Sequence, residues 1–437
     1  MAQIRKRKNS YQIIVCNGED VNGKRIEKTM TYHPDPKLTP KQLEKTLLKI
    51  SMEFEEKVKT GNLFDGDKMT FSEFYKKWYD EYGVLELEKT TLSVYNRYIN
   101  LRVLPVLGNM KLSSIKAVHL NSLYNAMRKA DVKNDGTNVG YSAGTIKKVH
   151  AVISSVLKQA VLWDIIETNP CDKVKKIKGV KATDDIQCFD VEQTMRFLNA
   201  LDMEYDKPVK ERKRKDNNGK EYSVAPYISK ITIPTQFKVF FYIAIYGGLR
   251  RGELLALQWS DIDFANNTID ISKATGYSDR EMYQKATKNK SSNRVINLPG
   301  SVMNLLAKYK KEYLAYQLQL GSQWAVDENG KRLNFLFVQS NGKQMHISTP
   351  RKKFHTIIEM YNSKVENDCN KLPLIPLHGL RHTCATLLIS QGVDITTVAG
   401  RLGHSQTSTT LDIYSHPLQK LDVIASEKLE NLLVKEA

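Results

Sequence analysis

The second half of the chain carries, in the order Arg250, Lys288, His378, Arg381, His404 and Tyr414, side chains suited to phosphoryl chemistry. Arg250 stands in Tyr246-Gly-Gly-Leu-Arg-Arg-Gly-Glu253, directly after an apolar run that ends in glycines. An arginine that opens a new helix behind a buried one is held rigidly, and its guanidinium can offer parallel donors to a phosphate. Lys288 lies in Thr287-Lys-Asn-Lys-Ser-Ser-Asn-Arg-Val-Ile-Asn-Leu-Pro299. This stretch reads as a hairpin tip feeding a strand, from which a lysine can reach into a site. His378 and Arg381, in Leu377-His-Gly-Leu-Arg-His-Thr383, are spaced to share one helical face. His404 closes Leu402-Gly-His, and Tyr414 follows Thr409-Thr-Leu-Asp-Ile. Taken singly, each has an ordinary structural reading: a surface ion pair, a solvated lysine, a satisfied histidine, a packing tyrosine. The ordered set is what points to a site.

The elements that must position these residues follow from periodicity. The run Phe237–Tyr246 is apolar on all sides, hence a buried helix. Thr268–Lys273 and Arg294–Leu298 alternate like strands. Asp190–Leu201, Ser301–Leu320, Arg351–Asn362, Cys384–Gln391 and Ile395–Leu402 read as helices, and Lys207–Tyr222 as a charged loop. Upstream, Phe71 to Pro170 is helical throughout, stopped by Asn169-Pro170. The first segment reads as strands at Tyr11–Cys16 and Lys24–Tyr32, then a helix capped by Thr39, Pro40 and Gln42. Asn62–Thr70 and Lys173–Asp185 read as linkers, and Leu418–Leu433 as an amphipathic tail helix.

The 437 residues are enough for two or three domains. A formal net charge of +18 implies an anionic partner. The basic residues are spread along the chain rather than gathered on one amphipathic helix, which favours nucleic acid over a membrane surface. No apolar run is long enough to span a bilayer, and the basic N-terminus lacks a signal peptide's apolar core. The five cysteines are scattered and form no CxxC pair, so neither a zinc site nor a disulfide framework is expected. Arg5-Lys6-Arg7-Lys8 is a candidate DNA contact, as are Lys147 and Lys148 on a helix face, where an ordinary solvated face is the competing reading.

The order of the six residues, with the contexts Gly-Leu-Arg-x-Gly-Glu, Leu-His-Gly-Leu-Arg-His-Thr and Leu-Gly-His-Ser, resembles the tyrosine recombinase (phage integrase) family. The resemblance is strong from about Cys188 onward and weaker over Phe71–Pro170. It implies a multidomain chain. Residues 1–65 would form a small α+β arm-type DNA-binding domain, a three-stranded sheet plus a helix. Residues 66–175 would form an all-α, SAM-like core-binding domain. Residues 186–437 would form a mixed, mainly α catalytic domain with a small antiparallel sheet and the tail helix. Such integrases serve conjugative transposons and temperate phages. The length of the Lys207–Tyr222 loop departs from the pattern.

The chemistry so implied is cleavage and rejoining of DNA through a 3′-phosphotyrosine. Arg250 and Arg381 would clamp the phosphate, His378 would act as general base, and Lys288 would protonate the leaving 5′ oxygen. His404 would donate to the phosphate or position the tyrosine. Tyr414 would attack; a phenol with a reference pKa of about 10 needs such help at neutral pH. Glu253 would orient Arg250. No metal and no other cofactor is expected, since the bond energy is conserved and no two-metal carboxylate cluster is evident. Implied partners are double-stranded DNA with core and arm sites, three further copies in a homotetramer, and an excisionase-type directionality factor, in a bacterial cytoplasm. A chromosome-dimer resolvase, a type IB topoisomerase-like enzyme and a non-catalytic DNA-binding accessory protein are the alternatives.

Overall fold

The computed structural model describes residues 2–7, 9–19, 23–35, 38–59, 68–129, 140–175, 187–215, 221–286, 293–404 and 430. The chain divides into two compact units, 1–182 and 183–437.

The first unit opens with an antiparallel sheet of β1 (Gln3–Arg7), β2 (Ser10–Glu19) and β3 (Arg25–Tyr32), in that order. β2 and β3 are the strands expected from their apolar runs. β1 is the basic N-terminal stretch itself. Every side chain on it is exposed, Arg5, Lys6 and Arg7 included, so it has no buried face to create an alternation. Lys8 lies outside the described residues. Helix α1 (Pro40–Lys59) lays Phe54 and Val58 on Ile13 and Val15 of β2. The Thr39 N–H and hydroxyl both donate to the Gln42 side chain, the half of the expected capping box that holds the helix start.

A second core in this unit is purely helical: α2 (Phe71–Trp78), α3 (Val84–Glu86), α4 (Lys89–Tyr98), α5 (Leu104–Leu107), α6 (Ala117–Arg128) and α7 (Ala143–Leu162). Thr70 and Glu73 cap α2 reciprocally, and the helix buries Phe71, Phe74, Tyr75 and Trp78. They join Val149, Ile153, Val156 and Leu157 of α7 in one cluster. Lys147 and Lys148 are exposed on α7, between buried Ile146 and Val149. π-Helical turns at Tyr79–Gly83 and Ile99–Val103 continue α2 and α4.

The second unit begins with α8 (Val191–Ala200), capped reciprocally by Asp190 and Gln193. Then comes β4 (Glu204–Val209), β5 (Arg212–Lys215), β6 (Glu221–Val224) and β7 (Tyr227–Thr232), with β4 on β7 and β5 on β6. The stretch expected as a charged loop is therefore most of a long β-hairpin. Most positions on β4 and β7 are exposed on both faces, so the periodicity that identifies a strand is missing. The base is anchored by Tyr205, fully buried, whose hydroxyl donates to the Ala200 carbonyl at 2.6 Å.

Helix α9 (Thr235–Gly247) buries Val239, Phe240, Phe241, Ile243, Ala244 and Ile245, and packs against its neighbours on several sides, α10 (Arg251–Ala256) among them. β8 (Ile262–Asp263) and β9 (Thr268–Ile271) precede a hairpin of β10 (Lys273–Ser278) and β11 (Glu281–Ala286). β12 (Arg294–Asn297) returns beside β9, giving the small antiparallel sheet β12-β9-β8. Helices α11 (Gly300–Leu320), α12 (Thr349–Lys364), α13 (Gly379–Ser390) and α14 (Ile395–Leu402) complete the unit, with α11 and α13 both on α9. Phe197, Phe240, Phe241 and Phe354 interlock in the core, several edge to face. Among the described residues no helix is long and apolar enough to cross a membrane.

Candidate active site

Four chain segments converge at the ends of α9 and α14. Gly248 ends α9 in the left-handed conformation, φ 64°. A Cβ there would meet Leu402 Cδ2 at 2.6 Å and Cys384 Sγ at 3.1 Å, so glycine is required by both space and backbone. The freed Gly248 carbonyl accepts from Arg381 Nη1 at 2.8 Å. Arg381, on α13, is only 2% exposed. Gly403 repeats the device at the end of α14, with φ 69° and a would-be Cβ 2.7 Å from Arg294 Nη1. Its carbonyl accepts from Arg250 Nη2 at 3.0 Å. Two glycines thus hand their carbonyls to two arginines far away in sequence.

Arg250 caps α10 and is half-exposed, with its Nη1 on Glu253 Oε1 at 2.8 Å and its backbone N–H on Glu253 Oε2 at 3.0 Å. Glu253 is 3% exposed and also accepts from Arg294 Nη2 at 2.9 Å. Burial by itself pushes the Glu253 carboxyl up. Hydrogen bonds and charge from Arg294, with hydrogen bonds from Arg250, outweigh it and hold the carboxyl below its usual range. Arg294 also donates from Nε to the Arg401 carbonyl at 2.7 Å, and Arg401 Nη2 donates to the carbonyls of Tyr246 and Asn297. The ends of α9, α14 and β12 are tied together by arginines.

The histidines gather around these cations. His378 is the N-cap of α13, and its ring meets that of His382 edge-on at 5.0 Å. Desolvation lowers the His378 pKa, and Arg381 and Arg250 lower it further; His378 is solvent-exposed, and water weakens the effect. His382 is pushed down to about 4 by desolvation, His378 and Arg381. His404 is pushed down to about 4 by desolvation, then Arg381 and Arg250. At neutral pH both rings are neutral and able to accept a proton. Thr383, fully buried, accepts from the Phe189 N–H at 2.9 Å and fixes the start of α13 to the start of the unit.

These shifts have a consequence for stability. An unfolded histidine titrates near 6.5, so as pH falls below that value the unfolded chain takes up protons that the folded His382 and His404 refuse until about pH 4. The contribution of the pair is therefore present above about pH 6.5 and lost as pH falls toward 4. Urea denaturation of the DNA-free protein from about pH 7.5 to 4.5 is expected to show a shallower acid loss for His382→Asn/His404→Asn than for the unsubstituted chain. Equal slopes would mean the two rings titrate normally.

Of the residues expected from sequence, Arg250, Glu253, His378, Arg381 and His404 come together. Lys288 and Tyr414 lie outside the described residues. Arg5, Lys6 and Arg7 belong to the other unit, as do Lys147 and Lys148. Arg294, Arg401 and His382 belong to the cluster and were not singled out; Arg294 and His382 do stand inside quoted motifs, but nothing local names their partners. Among the described residues no group of three or more His, Cys, Asp or Glu side chains is placed to hold a metal ion.

The sequence profile of the Phage integrase family matches residues 224–420, and that of the Phage integrase, N-terminal SAM-like domain matches residues 70–128. A protein of Caldanaerobacter subterraneus subsp. tengcongensis named Tyrosine recombinase XerC-like is 25% identical over 99% of this chain and 98% of its own. The ICEBs1 integrase of Bacillus subtilis is 27% identical over 69% of this chain and 70% of its own. Among solved structures, the Tn1549 transposon integrase in complex with transposon right end DNA superposes with a TM-score of 0.60 at 22% identity, covering 83% of this chain and 99% of that one. The chain belongs to the phage integrase family and is a tyrosine recombinase, an enzyme of site-specific DNA strand exchange.

Proposed function

We propose that this recombinase integrates and excises a mobile element, and that Arg250, Lys288, His378, Arg381, His404 and Tyr414 are its catalytic set. The observation that carries the assignment of residues is the cross-braced cluster of Arg250, Arg381, His378 and His404 around buried Glu253. Arg250 spends two donors on Glu253 and Gly403, and a guanidinium has five, so it keeps others for a phosphate. One well-placed donor to a developing oxyanion contributes about 3–4 kcal/mol. Neutral His378 is the general base toward Tyr414, His404 donates to the phosphate or positions the tyrosine, and Lys288 protonates the leaving 5′ oxygen. The covalent product is a 3′-phosphotyrosine. The mobile-element reading is supported by relatives named ICEBs1 integrase and, from Staphylococcus phage L54a, Integrase.

In the same reading the domains are 1–65, 66–175 and 186–437. The sheet β1–β3, with Arg5 to Arg7 on its edge strand, contacts distal arm sites, and Lys8 joins that contact. The helical core, with Lys147 and Lys148, contacts the core site. Four copies assemble on two duplexes in the bacterial cytoplasm, and an excisionase-type factor sets direction. Trapping on a nicked attachment-site duplex tests the proposal. The expected result is an adduct that survives denaturant and carries the DNA on the peptide containing Tyr414. Binding without an adduct would leave an accessory protein. Plasmid relaxation without recombination between two matching sites would leave a topoisomerase.

A further inference from the structure

Beside the arginine–histidine cluster the second unit holds a cavity of about 700 Å³. His378 and Arg381 line it, and so do Arg251, Arg351 and His355. A phosphate group occupies the space of only a few waters, at about 30 Å³ each, so the cavity exceeds what one scissile phosphate fills. Its remaining space faces a second set of cations. Arg251 follows Arg250 directly as the first residue of α10, and Arg351 stands in the first turn of α12, at the positive end of that helix. The two guanidiniums are close enough to repel: desolvation lowers the Arg251 pKa and Arg351 lowers it further.

Arg250 and Arg294 share Glu253. For Arg251 and Arg351, no ion pair or hydrogen bond is formed among the described residues. His355 adds a third observation: its Nε2 is buried and has no hydrogen-bond partner among them. Two exposed cations that repel each other and have no acid, and a buried ring nitrogen with nothing to bond, are groups with which an incoming anion carrying several acceptor oxygens can pair, although water already relieves much of the cost at the arginines. A nucleic acid strand supplies such anions in series, one about every 3.4 Å of rise. Because the cavity shares His378 and Arg381 with the cluster, its occupant is continuous with whatever the cluster holds.

We propose that Arg251, Arg351 and His355 form a second phosphate subsite, which takes the phosphodiester next to the scissile one on the same DNA strand. This rests on the assignment of Arg250, His378 and Arg381 to the scissile phosphate. The subsite holds the strand on one side of the cleavage point, so that attack meets a phosphate whose neighbour is already fixed. Arg251 and Arg351 supply charge and paired N–H donors, and His355 donates or accepts one hydrogen bond according to its tautomer.

The test uses the full-length chain and attachment-site duplexes, the cleavage point being mapped as the position of the covalent adduct. Single methylphosphonates, which remove one phosphate charge, are placed in turn at each phosphate within two nucleotides of that point. For the unsubstituted chain, one flanking position is expected to lower affinity about tenfold, the loss of one charge-assisted contact. In Arg251→Gln/Arg351→Gln that same methylphosphonate should have no further effect, while those at other positions keep theirs. The salt dependence of binding should also flatten by about 0.9 for the phosphate lost. Arg351→Gln alone, at an exposed position, repeats the measurement should the double variant fold poorly. Additive losses at every position, or indifference of the unsubstituted chain to every flanking neutralisation, would overturn the subsite and leave the recombinase assignment standing. Absence of any adduct from the unsubstituted chain would overturn both.

Discussion

Replacing Tyr414 with phenylalanine is expected to remove every trace of covalent protein–DNA adduct while leaving DNA affinity within about tenfold of the original. Phenylalanine keeps the ring and deletes the one oxygen that, in the proposed reaction, attacks phosphorus. No general base or arginine clamp can compensate, because the bond to be formed has lost an atom. Affinity behaves otherwise. Binding to duplex is carried by many phosphate contacts, each releasing counterions, and a chain of net charge +18 has many to make. Loss of one hydroxyl hydrogen bond weakens binding by about 0.5–1.5 kcal/mol at most. Gel-shift titration beside denaturing electrophoresis on a nicked duplex measures both quantities. A denaturant-resistant adduct with Tyr414→Phe would assign the nucleophile elsewhere; a collapse of affinity would make Tyr414 a binding residue instead.

The contrast between what the sequence discloses and what it hides follows the range of each interaction. Caps are local and legible: Asp190 with Gln193 and Thr39 with Gln42 are three residues apart, and both hold helix starts near where their spacing places them. The Gly248–Arg250 turn is equally local, since an apolar helix ended by a left-handed glycine must release its next residue at a fixed point. Strands with two wet faces are illegible for the opposite reason. β1 and the 204–232 hairpin have little buried side from which an alternation can arise. Most hidden of all is the bracing. Arg294 meets Glu253 across 41 positions, and Arg250 meets the Gly403 carbonyl across 153. Each partner looks like an ordinary surface charge until the fold buries the carboxylate between them.

That buried carboxylate is where the largest loss of stability is expected. Glu253 is 3% exposed, and Arg294, which it bridges to Arg250, has a side chain only 7% exposed. An exposed ion pair contributes about 0–1 kcal/mol. Removing one partner of a buried one costs about 3–5 kcal/mol, because the charge left behind keeps its desolvation penalty and loses its compensation. Glu253→Ala leaves two guanidiniums facing each other, and deletes the acceptor for the Arg250 N–H as well. The expected loss in urea denaturation is therefore about 3–5 kcal/mol, a large share of the 5–15 kcal/mol typical of a domain. Glu253→Gln keeps the shape and one acceptor oxygen, so it should fold better and still release Arg250 from its orientation. Its adduct formation should drop while binding holds. The pairing itself is read from a double-mutant cycle with Arg294→Met. Once the carboxylate is gone, Arg294 no longer contributes through it, so the double variant should lose less than the sum of the single ones. A loss below about 1 kcal/mol for Glu253→Ala, or simple additivity with Arg294→Met, would show that the carboxylate is hydrated and that something else sets the geometry of Arg250.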